Sequence, residues 1–303
     1  MSQTQVPRLQ ELAPLPQGRA GMAAAVYEDQ IYLFSGDTVD GITGNSLRYD
    51  IKLNEWHAIS DKPTPVRDIQ AVLIDEKIYV PGGLGSSGVT SQLEVYDPRS
   101  DNWEEKTAIP QSCTGYALAT LYGKLFLFGG SNGKDYLDEV YIYDPTMDTW
   151  QQGTDMPTAR AFAEAGVAGG KISIIGGINA NGSLALSESY TPNRDRLGEQ
   201  PWITQPALPK GEDVYGMQSI GDVLFVVGRN TTGQYSILQF LPQTDQWTYF
   251  DVLSPALFGQ HLAITSHQGY LYLLGGTDDS GKLSEKAFRY QVIYTLYIPV
   301  LNK

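Results

Sequence analysis

Short apolar stretches that end at glycine recur along the whole chain. The copies are IYLFSG, IYVPGG, LFLFGG, ISIIGG, LFVVG and LYLLGG, and they end at Gly36, Gly83, Gly130, Gly177, Gly228 and Gly276. Successive final glycines are 47, 47, 47, 51 and 48 residues apart. A nearly constant step of this size indicates one structural unit repeated six times. Each copy is typical of a short buried strand that glycine terminates.

Aromatic residues follow every glycine at matching distances. The first stands about 13 residues after the glycine, as Tyr49, Tyr96, Tyr143, Tyr190, Phe240 and Tyr290. A tryptophan follows seven residues later as Trp56, Trp103, Trp150 and Trp247, while an insertion around residues 193–197 displaces Trp202. The intervening residues are rich in Asp, Pro and Asn, which form turns, so the two aromatics lie on a hairpin. With the hairpin that ends at the glycine, each unit is predicted to contain four antiparallel strands.

A four-stranded unit with this spacing, a glycine pair and two aromatics resembles the kelch motif, and the resemblance covers essentially the whole chain. Copy one departs with Ser35-Gly36, copy five with Val227-Gly228 and Phe240, and copy six lacks the tryptophan. The resemblance implies an all-β fold, a six-bladed β-propeller of four-stranded kelch-type blades. We expect a single domain over residues 1–303 with blades at about 17–57, 65–104, 111–151, 158–203, 210–248 and 258–298.

The ends of the chain offer two ways to complete the last blade. Trp103 and Trp150 each precede a proline by seven residues, and the same count back from Pro16 reaches Leu9. Residues 6–12 are therefore predicted to supply the outer strand of the last blade. The alternative is that Tyr297, seven residues after Tyr290, replaces the missing tryptophan.

The acidic composition excludes one class of function. The chain has 34 Asp and Glu against 21 Lys and Arg, a net charge of −13 and a pI near 4.6, whereas nucleic-acid binding requires a basic surface. The lone Cys113 excludes an internal disulfide framework and leaves the compartment open. No secretory signal is visible, and no apolar run approaches the ~20 residues that span a bilayer. We expect a soluble monomer without membrane insertion, cytoplasmic or, if the chain is a mature form, secreted.

The resemblance directs attention to the loops around the central channel. Arg19, Arg67 and Arg160 stand 16 or 17 residues before a final glycine, where copies three, five and six have Cys113, Gly211 and Gly259. One interpretation is structural, with each guanidinium bonding backbone carbonyls between blades. The other is a partial guanidinium ring at the channel mouth that binds a carboxylate of a peptide or an acidic sugar.

Further candidate ligand-binding residues lie at or just inside the innermost strands. They are Tyr116, Glu164, Asp213, Tyr215, Gln260 and His261. Glu164 interrupts the apolar run AFAEAGVAGG on a strand expected to line the channel, where a charge must meet water, a partner or a ligand. A solvated carboxylate in a water-filled channel is the alternative to a ligand contact.

Most catalytic chemistries lack the residues that they need. His57, His261 and His267 are not expected to meet, so copper and zinc sites are excluded, and Cys113 has no histidine beside it. We predict no metal and no cofactor. The remaining alternative is a metal-free carbohydrate-active isomerase or lyase resembling kelch-type sialic-acid mutarotases, with Glu164, Asp213 and His261 as acid–base groups. The favoured prediction is a non-catalytic binding module for a protein segment or a glycan.

Overall fold

The computed structural model describes residues 8–209, 213–230, 232–253, 259–278 and 280–293. Within these ranges the chain forms six main antiparallel sheets, each built around four strands. The first three sheets contain Ala23–Tyr27, Gln30–Phe34, Ser46–Asp50 and Glu55–Ile59; Val72–Ile74, Lys77–Pro81, Leu93–Asp97 and Asn102–Lys106; and Ala117–Leu121, Lys124–Ser131, Tyr136–Asp144 and Thr149–Gln152.

The other three sheets follow the same order from the innermost to the outermost strand. They contain Ala161–Ala168, Lys171–Asn179, Ser187–Tyr190 and Trp202–Thr204; Asp213–Ile220, Val223–Arg229, Tyr235–Leu241 and Gln246–Leu253; and Ala263–His267, Tyr270–Leu274, Ala287–Gln291 and, from the other end of the chain, Leu9–Glu11. Two-residue strands lie at Arg19–Ala20, Asp37–Thr38, Gly41–Ile42, Leu84–Gly85, Gly88–Val89 and Gly182–Ser183, and one short helix at Pro192–Arg196.

The sheets are the blades of a closed ring. Each innermost strand contacts the innermost strand of the next blade, and the last contacts the first. The predicted six-bladed propeller is confirmed. The single domain over residues 1–303 and the blade limits derived from the sequence stay predictions.

The N-terminal strand completes the last blade, as one of the two alternatives proposed. Leu9 pairs with Tyr290, and Glu11 with Phe288. In the second blade Trp103 pairs with Tyr96 in the same way, so Leu9 occupies the tryptophan position. Tyr297, the competing candidate, lies outside the described residues.

The hydrophobic core lies between blades rather than within them. One cluster joins Ile74 and Leu93 of the second blade to Leu125 and Tyr143 of the third, and another joins Ile31 of the first blade to residues of the last. A twisted sheet presents apolar side chains on both faces, and the neighbouring blades cover them. No blade can bury its own core alone.

In the first four blades, tyrosine, tryptophan and an aspartate or asparagine side chain bind the blade to the segment that leaves the preceding blade. In the third blade the Tyr143 hydroxyl donates to Asp148 (2.6 Å), whose carboxylate also accepts the Thr107 N–H (2.9 Å). The Trp150 indole N–H donates to the Thr107 carbonyl (2.8 Å). We call this set the inter-blade clasp.

The clasp recurs around the ring, which explains why the aromatics repeat. Equivalent hydrogen bonds connect three further sets of side chains to the backbone of the preceding segment: Tyr49, Asn54 and Trp56 with Ala13; Tyr96, Asp101 and Trp103 with Ser60; and Tyr190, Asp195 and Trp202 with Thr154. In the fifth blade Phe240 has no hydroxyl, and only the Trp247 bond to the Pro206 carbonyl is kept. The predicted aromatic positions therefore fasten blades together by polar bonds as well as by packing.

The clasp predicts different effects for two substitutions at one position. Asp148 has a φ of 52°, which glycine and asparagine tolerate. Asp148→Gly leaves the Tyr143 hydroxyl and the Thr107 N–H without their acceptor and should lower the free energy of unfolding by about 1–3 kcal/mol. Asp148→Asn keeps an acceptor oxygen, as Asn54 does in the first blade, and should cost much less. Urea unfolding compares them, and equal losses would show that the clasp contributes nothing.

Candidate functional site

A central channel of about 760 Å³ runs between the innermost strands of all six blades. Most lining positions carry alanine, glycine or another small or aliphatic residue, for example Ala24, Ala71, Ala165 and Gly216. Small side chains keep the channel open, so its polar residues stand out as candidates for ligand contact.

Five residues form a ring at one end of the channel. Gly21, Asp68, Gly115, Phe162 and His261 each stand 15 residues before the final glycine of their blade, and each has a φ between 55° and 65°. Backbone bonds connect them around the axis: the Gly21 N–H donates to the His261 carbonyl (2.9 Å), the Gly115 N–H to Asp68 (2.9 Å) and the Phe162 N–H to Gly115 (2.6 Å). These bonds make the mouth of the channel a rigid frame.

The two glycines make room for side chains from neighbouring blades. A Cβ on Gly21 would lie 2.9 Å from Asp68 Oδ1, and one on Gly115 would lie 3.1 Å from the Phe162 ring. Asp68 can therefore reach across the first blade to His261, with 3.5 Å between Oδ1 and Nδ1. The Phe162 ring meets His261 edge-on, with 5.6 Å between centroids. Alternate blades thus bring a carboxylate, an imidazole and an aromatic ring together.

Arg67 extends this group on its outer side. Its guanidinium donates to Asp68 Oδ2 (2.9 Å), and its side chain is 36% exposed, whereas that of Asp68 is 6% exposed. Asp68 lies between two cationic or potentially cationic partners, since His261 approaches its other oxygen. We call Arg67, Asp68, Phe162 and His261 the mouth cluster.

The structure corrects the predicted guanidinium ring. Arg160 is fully buried and pairs with Glu188 (2.7 Å) in its own blade, and Arg19 is 3% exposed and donates to the Asn45 carbonyl (2.9 Å). Both precede the innermost strand and lie where a buried charge must be partnered, away from the channel lining. Both arginines have a structural role, but their side-chain bonds lie within their own blade and do not join neighbouring blades as the structural interpretation supposed. Of the three arginines, Arg67 alone contacts a residue of the mouth, Asp68.

Tyr116 is corrected in the same way. It is 1% exposed, packs in the core between the second and third blades, and donates its hydroxyl to the Pro81 carbonyl. Burial raises the pKa of Tyr116 well above its ordinary value. A side chain so enclosed contributes to packing, and it is not among the channel-lining residues.

Glu164 lies deeper in the channel. Part of its surface faces the channel, yet protein surrounds it closely, and this desolvation raises the pKa of its carboxyl to about 8. Hydrogen bonds from the Gln70 side chain and the Met217 backbone oppose the shift in pKa. Gln70 is itself held, since its Oε1 accepts the Leu118 N–H (3.0 Å). At neutral pH the carboxyl is mostly protonated.

The other predicted residues line the same channel without joining the mouth cluster. Asp213 is exposed at the start of the innermost strand of the fifth blade, and the Tyr215 ring packs against Tyr235 at 5.9 Å. Asp213 also stands 15 residues before its final glycine, but it lies in the strand opposite Arg229 in the backbone register and lacks the positive φ of the five ring residues. A bulge between Val214 and Gly216 follows it. Gln260 bonds Thr277 through its backbone (2.8 Å). Gly211 lies outside the described residues.

Sequence reasoning missed Asp68, Phe162, Gln70 and Gln218. The amide of Gln218 donates to the Ile264 carbonyl (3.2 Å) and accepts from Ser266 (3.1 Å) on the channel wall. The repeat contained the signal for the mouth, because a count of 15 rather than 17 residues back from each final glycine finds the five ring residues and Asp213. The spacing of these residues does not show which of their side chains contact one another.

No group of three His, Cys, Asp or Glu residues in the described ranges could hold a metal ion. Cys113 is buried, and burial raises the pKa of its thiol, which disfavours the thiolate form. Among the described residues, no helix has the length and apolar character needed to cross a bilayer.

Comparisons with known proteins agree with this architecture. A family model, the KLHDC2/KLHL20/DRC7 Kelch-repeats domain, matches residues 1–177 and 106–276. The chain belongs to the kelch-repeat family. Kelch-like protein 41 from Homo sapiens is 26% identical over 105 residues, which cover 33% of this chain and 17% of that protein. The protein of the same name from Mus musculus is 26% identical over 91 residues, which cover 29% and 15%.

These kelch alignments span about a sixth of the length of the curated relatives. The solved structure of YjhT superimposes with a TM-score of 0.77 at 17% identity, covering 91% of this chain and 95% of that one. The likeness to YjhT supports the propeller fold alone.

The pKa of Glu164 predicts how stability depends on pH. Below about pH 4.5 the carboxyl is protonated in both states, and between that value and about 8 the unfolded chain releases the proton while the folded protein retains it. The wild type should therefore lose stability relative to Glu164→Gln as pH rises through this window, by about 1–3 kcal/mol after allowance for its partial exposure. Above pH 8 the difference in the free energy of unfolding between the wild type and Glu164→Gln should stay constant.

Urea unfolding of both proteins between pH 4 and pH 9 measures this difference. Gln resembles the protonated acid in size and charge, so the variant should fold. A difference that does not change with pH would contradict the assignment of a raised pKa to Glu164.

Proposed function

We propose that the protein is a non-catalytic binding module that receives a protein segment at the mouth of its channel. The mouth cluster carries this proposal, because it gathers a guanidinium, a carboxylate, an imidazole and an aromatic ring on a rigid frame. Cationic and aromatic groups of this kind dominate binding energy in protein interfaces. Kelch-repeat family members bind proteins, which supports this use of the fold.

The rigidity of the mouth favours binding. Positive φ values at five ring positions and the backbone bonds between blades hold the cluster in place without a ligand. A preorganised surface loses little conformational entropy on association. The side chains of Arg67 and His261 are 36% and 39% exposed, so a docking segment can reach both.

The test begins with a peptide array and a glycan array, both probed with the purified chain. We expect binding to peptides, and Arg67→Ala and His261→Ala should each weaken binding of the best peptide about tenfold or more, equivalent to about 1.4 kcal/mol. Arg99→Ala is the matched control, because Arg99 is an exposed arginine paired with Glu76 in a turn between outer strands.

The outcomes separate the alternatives. If the chain binds glycans and not peptides, the proposed ligand class is wrong, and the mouth cluster remains the candidate binding site. Mouth variants that bind the peptide as the wild type does, while melting at the same temperature, would show that the ligand docks elsewhere.

Glu164 supports a second candidate, the metal-free carbohydrate-active isomerase or lyase. A carboxyl with a pKa near 8 is suited to proton transfer at neutral pH, and Asp213 and His261 line the same cavity. The binding-module proposal predicts that the wild type does not accelerate interconversion of sugar anomers, including those of sialic acid, as measured by exchange NMR. Acceleration that Glu164→Gln abolishes would establish catalysis instead.

A further inference from the structure

The charged side chains that line the channel are mainly acidic. Among the described residues they are Asp68, Glu164, Asp213 and His261, with no lysine or arginine. Arg19 and Arg160 are buried elsewhere, and Arg67 at the mouth pairs with Asp68 (2.9 Å), so the attraction for a further cation depends on the acidic groups beyond Asp68, above all Glu164. A cavity with low-dielectric walls concentrates the field of its charges, and the whole protein carries a net charge of −13. The channel therefore favours a cation when the Glu164 carboxyl is ionised.

Glu164 lies within reach of a side chain that enters at the mouth. It follows Phe162 by two residues on the same strand, which places it about 6–7 Å further along the channel at a strand rise of 3.2–3.4 Å per residue. An extended lysine or arginine side chain covers a similar distance. The neighbouring wall positions include Ala165 and Gly166, which leave space for an alkyl chain.

The polar groups around Glu164 leave acceptors available. A carboxylate has about four acceptor sites, and the Gln70 side chain and the Met217 backbone are its two hydrogen-bond partners. Ser219 lies against Gly166, where an added Cβ would be 3.0 Å from its hydroxyl oxygen. That oxygen is buried and has no hydrogen-bond partner within the described part of the chain. It is a second unused acceptor on the channel wall.

We propose that the docking segment is basic, and that a lysine or arginine side chain passes the mouth cluster and pairs with the Glu164 carboxylate. The inference rests on the proposed function and specifies its ligand. The expectation from the sequence was a carboxylate ligand on a guanidinium ring. The structure favours the opposite charge, since two of the three arginines are removed from the channel and the acidic groups remain.

The proposal includes a proton balance. The empty site holds Glu164 mostly protonated at neutral pH, with its pKa raised to about 8 by desolvation. A bound cation stabilises the carboxylate, so the carboxyl releases its proton to solvent and its pKa falls in the complex. Affinity should rise with pH up to about 8 and then level off. The other titratable groups that line the channel are Asp68, Asp213, Tyr215 and His261.

n-Butylammonium chloride, a lysine side chain without its backbone, is the probe for this site. Titration into the full chain, followed by NMR shifts and thermal midpoint, should give affinity about tenfold higher at pH 8.5 than at pH 6.5. Glu164→Gln should lose about tenfold at pH 8.5 and most of the pH dependence. Arg99→Ala, in a turn between outer strands, should keep both the affinity and the pH dependence. 1-Butanol and sodium chloride at equal ionic strength are the ligand controls.

The outcomes distinguish this inference from the proposed function. Array peptides whose binding is unchanged when each lysine is replaced by norleucine and each arginine by citrulline would overturn the inference and leave the binding module intact. Binding of n-butylammonium by a chain that binds no array peptide would support the cation site and remove the proposed peptide function. If n-butylammonium binds no better than sodium, or binds Glu164→Gln equally well, the cation site is refuted.

Discussion

Each blade has two apolar faces that only its neighbours can cover, and this constraint governs the rest of the structure. The hydrophobic clusters join residues of adjacent blades, such as Leu93 and Leu125. The clasps add polar bonds across the same boundaries, as Trp150 does to the Thr107 carbonyl. A ring has no terminal blade only if it closes, and here Leu9–Glu11 completes the last sheet against Ala287–Gln291. The stability of the fold therefore depends on closure of the ring, because only a closed ring covers both apolar faces of every blade.

Departures from the repeat create the candidate site. A perfectly regular propeller would place six identical residues around the mouth. Here glycines at Gly21 and Gly115 leave space that Asp68 and Phe162 fill from the next blade, and both side chains contact His261. The backbone frame stays regular because the same left-handed conformation recurs at all five positions. Regular backbone and irregular side chains together produce a rigid, asymmetric surface.

Charge burial separates structural from functional residues in this fold. Arg160 is buried but has Glu188 as a partner in its own blade, so its charge is balanced and its role is structural. Glu164 has no opposite charge among the hydrogen-bond partners that lower its pKa, which are Gln70 and the Met217 backbone. Because desolvation disfavours its charged form, the Glu164 carboxyl is protonated instead. It can therefore ionise when a cation binds, or transfer a proton. Both residues are candidates for ligand contact from the sequence, and only their neighbours in the structure distinguish them.

The sequence by itself determined the blades and their number, and it limited the closing strand of the ring to two candidates, of which the tertiary structure selects residues 9–11. Local hairpins require apolar strands, glycine and turn residues at fixed spacing, and Leu9 could be counted into the tryptophan position for the same reason. Which of the side chains along the channel contact one another was decided only by the tertiary structure. The contact of Asp68 with His261 joins the second and last blades across Gly21, and Asp213 lies in a strand opposite Arg229 without the positive φ of the five ring residues. Such contacts depend on packing between repeats that are distant in the sequence. The residue spacing within each repeat carries no information about that packing.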